Sequence, residues 1–132
     1  NYAEGSSHVM AALIRKFVEA ERFGDPDVYI WGDGTQRREF MHVDDLAKAA
    51  FKTAEDRFNL LYPLIYPYNI GVNFDVSIMD LALMISEIVG YEGNIKTMDG
   101  PVGMESKLMR SITNSDVRSL RDGIAQTIAE LE

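Results

Sequence analysis

The spacing of apolar residues predicts a helix over residues 7–23 and a second helix after residue 45. Ser6 or Ser7 is expected to cap the first helix, and Asp44 or Asp45 the second. The break at residues 24–27, Gly-Asp-Pro-Asp, ends the first helix. The residues predicted to be buried are Val9, Leu13, Phe17 and Ala20 in the first helix, and Leu46, Ala47, Ala50, Phe51 and Ala54 in the second.

Two further helices follow the same periodicity and carry clearer boundary signals. Ser77 and Asp80 form a capping box at the start of the third helix, and Gly90 ends it. Ser119 and Asp122 open the fourth helix in the same way. The predicted buried residues are Ile78, Leu81, Ala82, Ile85, Ile88 and Val89 in the third helix, and Ile124, Ile128 and Leu131 in the fourth.

Shorter apolar stretches predict about four strands. Residues 28–31 and 36–43, joined by a turn at 32–34, are expected to form a hairpin that runs into the second helix. Residues 68–71 are predicted to be a short buried strand and residues 94–98 a further one. Four helices and about four short strands indicate an α/β or α+β domain.

Composition narrows the class of protein. The 132 residues are 46% hydrophobic and 26% charged, which is typical of one globular domain. A formal net charge of −8 argues against a nucleic-acid partner. No apolar run is long enough for a membrane span, and the first ten residues do not resemble a signal peptide. The absence of cysteine excludes thiolate chemistry and fits a cytoplasmic protein.

Two familiar kinds of site are rejected on spacing. Gly32-x-Gly34 follows a strand, but Arg37 occupies the place of the third glycine of a dinucleotide loop, and a strand rather than a helix is predicted next. We therefore predict no cofactor loop here. A metal site would have to use His8, His42, Asp44 and Asp45, and since one of these aspartates is better explained as a cap, no metal is predicted.

His8 and Lys16 each have two interpretations. Near a helix N-terminus the dipole disfavours the imidazolium form, so His8 could exchange a proton with a substrate near neutral pH. Lys16 lies a little over two turns further on and so on roughly the same face. Alternatively, His8 is an ordinary surface histidine, and Lys16 belongs to the solvated side of an amphipathic helix.

Trp31 ends a strand, and Arg37 and Arg38 follow the turn after it. Strand alternation sends the two arginines to opposite faces, so at most one of them shares a pocket with the indole. An aromatic plane and a guanidinium together suit a ligand that has a ring and a phosphate. The alternative is a tryptophan in the core and arginines in solvent.

Three stretches together resemble the C-terminal part of the GDP-L-fucose synthase family, within the extended short-chain dehydrogenases/reductases and NAD-dependent sugar epimerases. They are SSHVMAALIRKF, VYIWGDGTQRREFMHVDDLAKAA and YNIGVNFDVSIMDLALMISEIVGYEGNI. Their order and spacing match from the first residues to about Lys107. The segment with Ser-His-Val, Trp-Gly-x-Gly-Thr and Arg-Glu-Phe-x-His-Val-Asp-Asp is similar to this family rather than to epimerases at large.

The resemblance implies a substrate and a set of roles. Family enzymes epimerise C3 and C5 of GDP-4-keto-6-deoxy-D-mannose and then reduce the ketone with NADPH, which yields GDP-L-fucose. By resemblance, His8 is the acid/base histidine of epimerisation. The residues that match GDP-sugar-binding positions are Lys16, Trp31, Arg38 and Lys107. We expect the side chains of His8, Lys16, Trp31 and Arg38 to converge around one diphosphate-bearing ligand.

The chain also departs from the family pattern. It does not contain the glycine-rich cofactor loop, the characteristic serine and the tyrosine–lysine pair of the superfamily, or the catalytic cysteine of the family. Val102 stands where the family loop has aspartate, Val72-Asn73 replaces a Thr-Gly or Ser-Gly pair, and residues 109–119 look shortened. We expect residues 1–132 to be a single substrate-binding domain that lacks the dinucleotide-binding half, binds no cofactor alone and transfers no hydride by itself; NADP belongs to the full-length family.

An alternative function comes from another class. The chain could be a stand-alone interaction module with a vestigial sugar-nucleotide site. By resemblance, the helix after Asp45 and the strand near Tyr68 pack against the cofactor half in full-length enzymes. Without that half, apolar side chains such as Phe51, Tyr66 and Ile70 would need cover, which predicts a homo-oligomer.

Overall fold

The computed structural model describes residues 8–58, 69–100, 106–107 and 117–131, and within them it shows four helices and five strands. The helices are α1 (Val9–Phe23), α2 (Val43–Phe58), α3 (Ile78–Val89) and α4 (Leu120–Ala129). The strands are β1 (Asp27–Trp31), β2 (Arg37–Glu39), β3 (Asp75–Ser77), β4 (Asn94–Met98) and β5 (Ser106–Lys107). The predicted mixed α/β class is confirmed.

Helix boundaries agree best with the sequence where the cap is local. The Ser77 hydroxyl accepts a hydrogen bond from the Asp80 N–H at 3.0 Å, and Gly90 ends α3 in the left-handed conformation at φ 78°. The Ser119 hydroxyl accepts from the Asp122 N–H at 3.1 Å in the same way. For α1 the N-cap is His8, whose side chain makes no capping hydrogen bond, rather than Ser6 or Ser7, which lie outside the described residues.

The core forms between α1, α3, α4 and strand β1. Phe17 is fully buried at its centre, and its ring meets that of Tyr91 edge-to-face with centroids 5.5 Å apart. The buried apolar residues are Leu13, Ile14, Phe17, Ala20, Val28, Ile30, Val76, Ile78, Leu81, Ala82, Ile85, Ile124 and Ile128. Most residues predicted to be buried in α1, α3 and α4 belong to this cluster, but Leu131 is exposed.

The predicted hairpin is wrong, because β1 and β2 lie in different sheets. β1 pairs in parallel with β4, and β2 pairs antiparallel with β3 and in parallel with β5. The strand predicted over 36–43 is also shorter, since β2 ends at Glu39. The strand predicted at 94–98 is confirmed, whereas residues 69–71 form none and Tyr68 lies outside the described residues.

The segment between β1 and β2 does not fold back because it caps α3. The carbonyls of Gln36 and Gly34 accept hydrogen bonds from the N–H groups of Ile78 and Met79, which have no partner within the helix. A Cβ atom at Gly34 would lie 3.0 Å from the Met79 Cβ atom, and the φ angle of Gly34 is 77°. Glycine therefore permits both the backbone conformation and the close approach.

The predicted buried face of α2 is also wrong. Leu46, Ala47, Ala50, Phe51 and Ala54 are all exposed, with Phe51 retaining 68% of its accessible surface. The buried positions of this helix are instead Asp45 and Ala49. Periodicity correctly located an apolar face, but no other described element covers it.

Among the described residues, no helix is both long enough and apolar enough to cross a membrane.

Candidate functional site

Lys16 and Trp31 come together at the end of β1. The Lys16 ammonium donates a hydrogen bond to the Tyr29 carbonyl oxygen at 2.7 Å and lies 5.9 Å from the centroid of the Trp31 ring. Burial lowers the pKa of Lys16, and the positive charge of Arg15 lowers it further. An ammonium has three donors, so the bond to Tyr29 leaves Lys16 able to bind an anion beside the indole.

The Trp31 indole is exposed and has a close neighbour in sequence-distant backbone. Its side chain keeps 55% of its accessible surface. At Gly100 a Cβ atom would lie 3.0 Å from the indole Cγ and 3.1 Å from the Trp31 Cβ atom, so glycine lets the chain pass close to the base of this side chain. The alternative of a core tryptophan is therefore wrong, and the indole presents a partly open aromatic surface.

The two adjacent arginines have different environments, as strand alternation predicts. Arg37 donates to an Asp75 carboxylate oxygen from Nε at 3.0 Å and to the Asp75 carbonyl from Nη2 at 3.1 Å. Arg38 is half-buried and donates to the Arg37 carbonyl at 2.7 Å. Arg37 is therefore committed to holding β2 against β3, whereas no carboxylate pairs with Arg38 among the described residues.

Arg38 lines a cavity of about 270 Å³, here called the Arg38 cavity. Phe40, Phe74 and Arg118 also line it. The larger part of the lining is apolar, and Arg38 gives it positive charge, since the Arg118 guanidinium is paired with the Asp45 carboxylate. Such a cavity fits a ligand with an apolar or ring-shaped part and an anionic part.

One wall of the Arg38 cavity depends on a buried ion pair that the sequence analysis missed. Asp45 is only 3% exposed and accepts hydrogen bonds from Nε and Nη2 of Arg118, both at 2.9 Å, and from the Arg118 N–H at 3.1 Å. Arg118 also donates to the Gln126 side-chain oxygen. These bonds attach the segment before α4 to the first turn of α2.

Neither Asp44 nor Asp45 is the N-cap that the sequence predicted, because both lie within the first turn of α2. The Asp44 N–H donates to His42 Nδ1 at 3.3 Å, so the imidazole supplies the acceptor at this helix end. Hydrogen bonding to Arg118 holds the pKa of Asp45 below its ordinary value, against the opposing effect of burial. The same contact raises the pKa of Arg118. No signal in the sequence pairs these residues, which are 73 positions apart.

The remaining candidate site residues are Lys107 and His8. The backbone of Lys107 in β5 is the register partner of Arg38 in β2. His8 is exposed at the N-cap of α1. Among the described side chains, no hydrogen bond or ring contact joins His8 or Arg38 to the Lys16–Trp31 pair. The convergence of all four around one ligand thus stays a prediction, and Val102 and Tyr66 lie outside the described residues.

The described residues offer neither a metal site nor a dinucleotide-binding turn. Within them, no group of three or more His, Asp or Glu residues could hold a metal ion. At the Gly32–Gly34 turn, the Asp33 carboxylate accepts from the Thr35 N–H at 2.9 Å and the Thr35 hydroxyl at 2.6 Å. The N–H groups at the start of α3 are already bonded to the carbonyls of Gln36 and Gly34, and the Asp33 carboxylate adds negative charge. No free helix N-terminus is therefore available to a pyrophosphate, so this turn does not fit NADP.

Comparison with solved structures defines the class of fold. A GDP-mannoheptose C4 reductase from Campylobacter jejuni, solved with NADP bound, matches with a TM-score of 0.79 at 28% identity, over 99% of this chain and 48% of that chain. A GDP-L-fucose synthetase from Naegleria fowleri bound to NADP gives 0.78 at 19% identity, over 98% and 40% of the two chains, which shows the shared fold alone. The fold is thus that of part of an extended short-chain dehydrogenase/reductase.

Sequence comparison identifies the family. The profile of the NAD dependent epimerase/dehydratase family matches residues 1–71, and the chain belongs to this family. GDP-L-fucose synthase 1 of Arabidopsis thaliana is 40% identical over 133 residues, which cover 96% of this chain and 40% of the relative. GDP-L-fucose synthase of Escherichia coli (strain K12) is 39% identical over 99 residues, 72% of this chain and 31% of the relative.

The resemblance to GDP-L-fucose synthase is therefore confirmed. The chain spans less than half the length of these two relatives.

Proposed function

We propose that this chain is the GDP-sugar-binding portion of a GDP-L-fucose-synthase-like epimerase/reductase. The observation that carries the proposal is the pairing of the Lys16 ammonium with the exposed Trp31 indole. A cation beside an open aromatic ring suits a ligand that combines a phosphate with a ring. The similarity to the two GDP-L-fucose synthases supports GDP-sugar as the ligand class.

In this proposal each candidate residue has a separate task. Lys16 and Arg38 neutralise the diphosphate, Lys107 adds a third cation, and Trp31 packs against a ring of the ligand. His8 exchanges protons with the sugar carbons next to the ketone, a task for which an imidazole is suited near neutral pH. Hydride transfer requires a dinucleotide-binding half as well. In this proposal the 132 residues do not supply that half, so this chain alone binds no NADP.

Binding of GDP-mannose tests the proposal directly. Trp31 is the only tryptophan, so its fluorescence reports on the site without a label. We expect a saturable fluorescence change together with heat of binding in calorimetry. Arg38→Ala should weaken binding about tenfold or more, because a hydrogen bond to a charged group contributes about 1.5–3 kcal/mol.

Arg37→Ala is the matched control for that measurement. Arg37 is the neighbouring arginine, but it binds Asp75 instead of lining the cavity. We expect it to leave the affinity within about twofold of the unmodified chain. No heat and no spectral change at millimolar GDP-mannose would refute the proposal, and equal losses in the two variants would refute the role of Arg38.

The exposed face of α2 favours a second candidate, a self-associating interaction module. Val43 and Phe51 keep 70% and 68% of their surface, and Leu46 keeps 44%. An apolar stripe of this kind marks a surface that binds another protein surface. In the first proposal a cofactor-binding half covers this stripe, and in the second another copy of the chain covers it.

Light scattering at increasing concentration tests self-association. We expect a concentration-dependent oligomer that Phe51→Lys shifts towards monomer, because a charge in an apolar interface is costly. Phe23→Lys is the control, since Phe23 is the last residue of α1, lies outside the apolar face of α2 and is 73% exposed. A monomer at every concentration would count against the module.

Val102→Asp, which restores the family residue, should raise GDP affinity only if the nucleotide site works.

A further inference from the structure

Phe74 is an exposed aromatic side chain on the wall of the Arg38 cavity. It keeps 63% of its accessible surface and does not belong to the hydrophobic core. An aromatic side chain that is exposed on the wall of a cavity is available to pack against a ring of a bound ligand. The same cavity carries the Arg38 guanidinium, whose counter-charge the described protein does not provide.

The backbone on both sides of Phe74 is attached to β2. On one side, the Glu39 carboxylate accepts hydrogen bonds from the N–H groups of Val72 at 2.5 Å and Asn73 at 3.1 Å. On the other side, Asp75 begins β3 and is the register partner of Glu39. Two neighbouring N–H groups on one carboxylate and a strand pairing leave this segment little freedom, which places the ring before any ligand arrives.

Asn73 explains why this turn needs such support. Its φ is 56°, and it is the only non-glycine residue with a positive φ among those the structure describes. Asparagine tolerates the left-handed conformation better than most residues but at some cost. The bonds to Glu39 offset that cost, and the chain direction that results carries Phe74 to the cavity.

We propose that Phe74 is a ring-binding residue of the Arg38 cavity and that Glu39 is the positioning residue that holds it there. The inference rests on the proposed nucleotide-sugar function and assigns the wall of the site that contacts a ring of the ligand. Arg38 binds the phosphate part, and the Phe74 ring packs against the base or sugar ring. An aromatic residue and an arginine that line one cavity of about 270 Å³ provide both contacts.

Two ligands separate a ring contact from a general effect on the site. The dissociation constants of GDP and of inorganic diphosphate are measured by calorimetry or chemical-shift titration for Phe74→Ala and Phe74→Tyr. We expect Phe74→Ala to weaken GDP about 5- to 20-fold and diphosphate less than about twofold, because only GDP has rings. Phe74→Tyr should bind GDP nearly as well as the unmodified chain, since it keeps the aromatic face.

Phe23→Ala is the control, because Phe23 is an exposed phenylalanine outside the cavity. It should change neither dissociation constant. If the unmodified chain binds GDP and Phe74→Ala binds it equally well, or loses diphosphate to the same extent, the inference is overturned while the proposed function stands. If the unmodified chain binds neither ligand, the proposed function fails and the inference fails with it.

Variants of Glu39 test its positioning role, because that role and simple electrostatics predict opposite changes in GDP affinity. Removing a carboxylate near an anion site should by charge alone strengthen GDP binding. If Glu39 positions Phe74, Glu39→Ala should instead weaken GDP about as much as Phe74→Ala does. Glu39→Gln, which keeps one acceptor oxygen, should bind GDP with an affinity between those of Glu39→Ala and the unmodified chain.

The double variant completes the cycle. Because Glu39 acts through Phe74, Glu39→Ala combined with Phe74→Ala should weaken GDP no more than either change alone. Independent, additive losses would show that Glu39 supports the site by another route. GDP binding that is unchanged or tighter in Glu39→Ala would overturn its positioning role.

Discussion

Replacing Asp45 by alanine is expected to lower the free energy of unfolding by about 3 kcal/mol, the lower end of the range for breaking a buried ion pair. Asp45 is 3% exposed and accepts three hydrogen bonds from Arg118. Its loss leaves the guanidinium without its main partner, although a fifth of the Arg118 side chain still reaches solvent. Urea denaturation followed by circular dichroism measures the change.

Asp44→Ala is the matched control for Asp45→Ala. Its carboxylate lies 3.5 Å from Arg118, but its side chain is 51% exposed, and exposed pairs contribute at most about 1 kcal/mol. Replacing both partners of the buried pair, in Asp45→Leu with Arg118→Leu, should recover much of the lost stability because no charge is then left unpaired. Equal losses for Asp44→Ala and Asp45→Ala would contradict this assignment.

Acid denaturation offers a second measurement of the same ion pair. Bonding to Arg118 lowers the pKa of Asp45 in the folded chain below its ordinary value of 3.8. A carboxyl group with a lowered folded pKa contributes stability above its unfolded pKa and loses it as the pH falls through the folded value. The stability of the unmodified chain should thus fall more steeply below about pH 4 than that of Asp45→Asn.

Phe17→Ala is expected to cost about 3–5 kcal/mol, the range for removing a buried aromatic side chain. Phe17 is completely buried at the centre of the core and packs edge-to-face on Tyr91. Alanine removes the ring and leaves a cavity that rigid neighbours on α1 and α3 can fill only in part. The same urea denaturation measures the loss, and a loss below about 1 kcal/mol would show that the core is not packed as described.

Phe23→Ala provides the comparison on the same helix. Phe23 keeps 73% of its accessible surface, so its replacement should change stability by less than about 0.5 kcal/mol. Both variants carry the same substitution in α1, with Phe17 in the interior of the helix and Phe23 as its last residue. Helix propensities of phenylalanine and alanine differ by at most about 0.7 kcal/mol, so a difference of several kcal/mol between the variants reports burial.

The candidate site was only partly predictable. Sequence analysis selected Lys16, Trp31 and Arg38, and the structure brings the first two together and places the third on a cavity. Sequence analysis overlooked Phe74 and Glu39. A single phenylalanine after a loop carries no periodic signal, and the motif Arg-Glu-Phe-x-His-Val-Asp-Asp includes Glu39 without indicating what its carboxylate binds. Their relation appears only when the loop before β3 returns to β2.

The exposed face of α2 shows a different kind of limit. The apolar spacing of Leu46, Ala50 and Phe51 is real, and periodicity located it correctly. Periodicity states that a face is apolar, but it does not state which surface covers that face. The prediction of burial within this chain failed for that reason.

By itself, the sequence determined the features whose partners lie within one turn of helix. The Ser77–Asp80 and Ser119–Asp122 caps and the left-handed Gly90 follow from local geometry, since their atoms are three or four residues apart. Only the tertiary structure decided that β1 pairs with β4 and that Asp45 binds Arg118. Those contacts join residues more than 60 positions apart, and their energy depends on burial and geometry that exist only once the whole chain has packed.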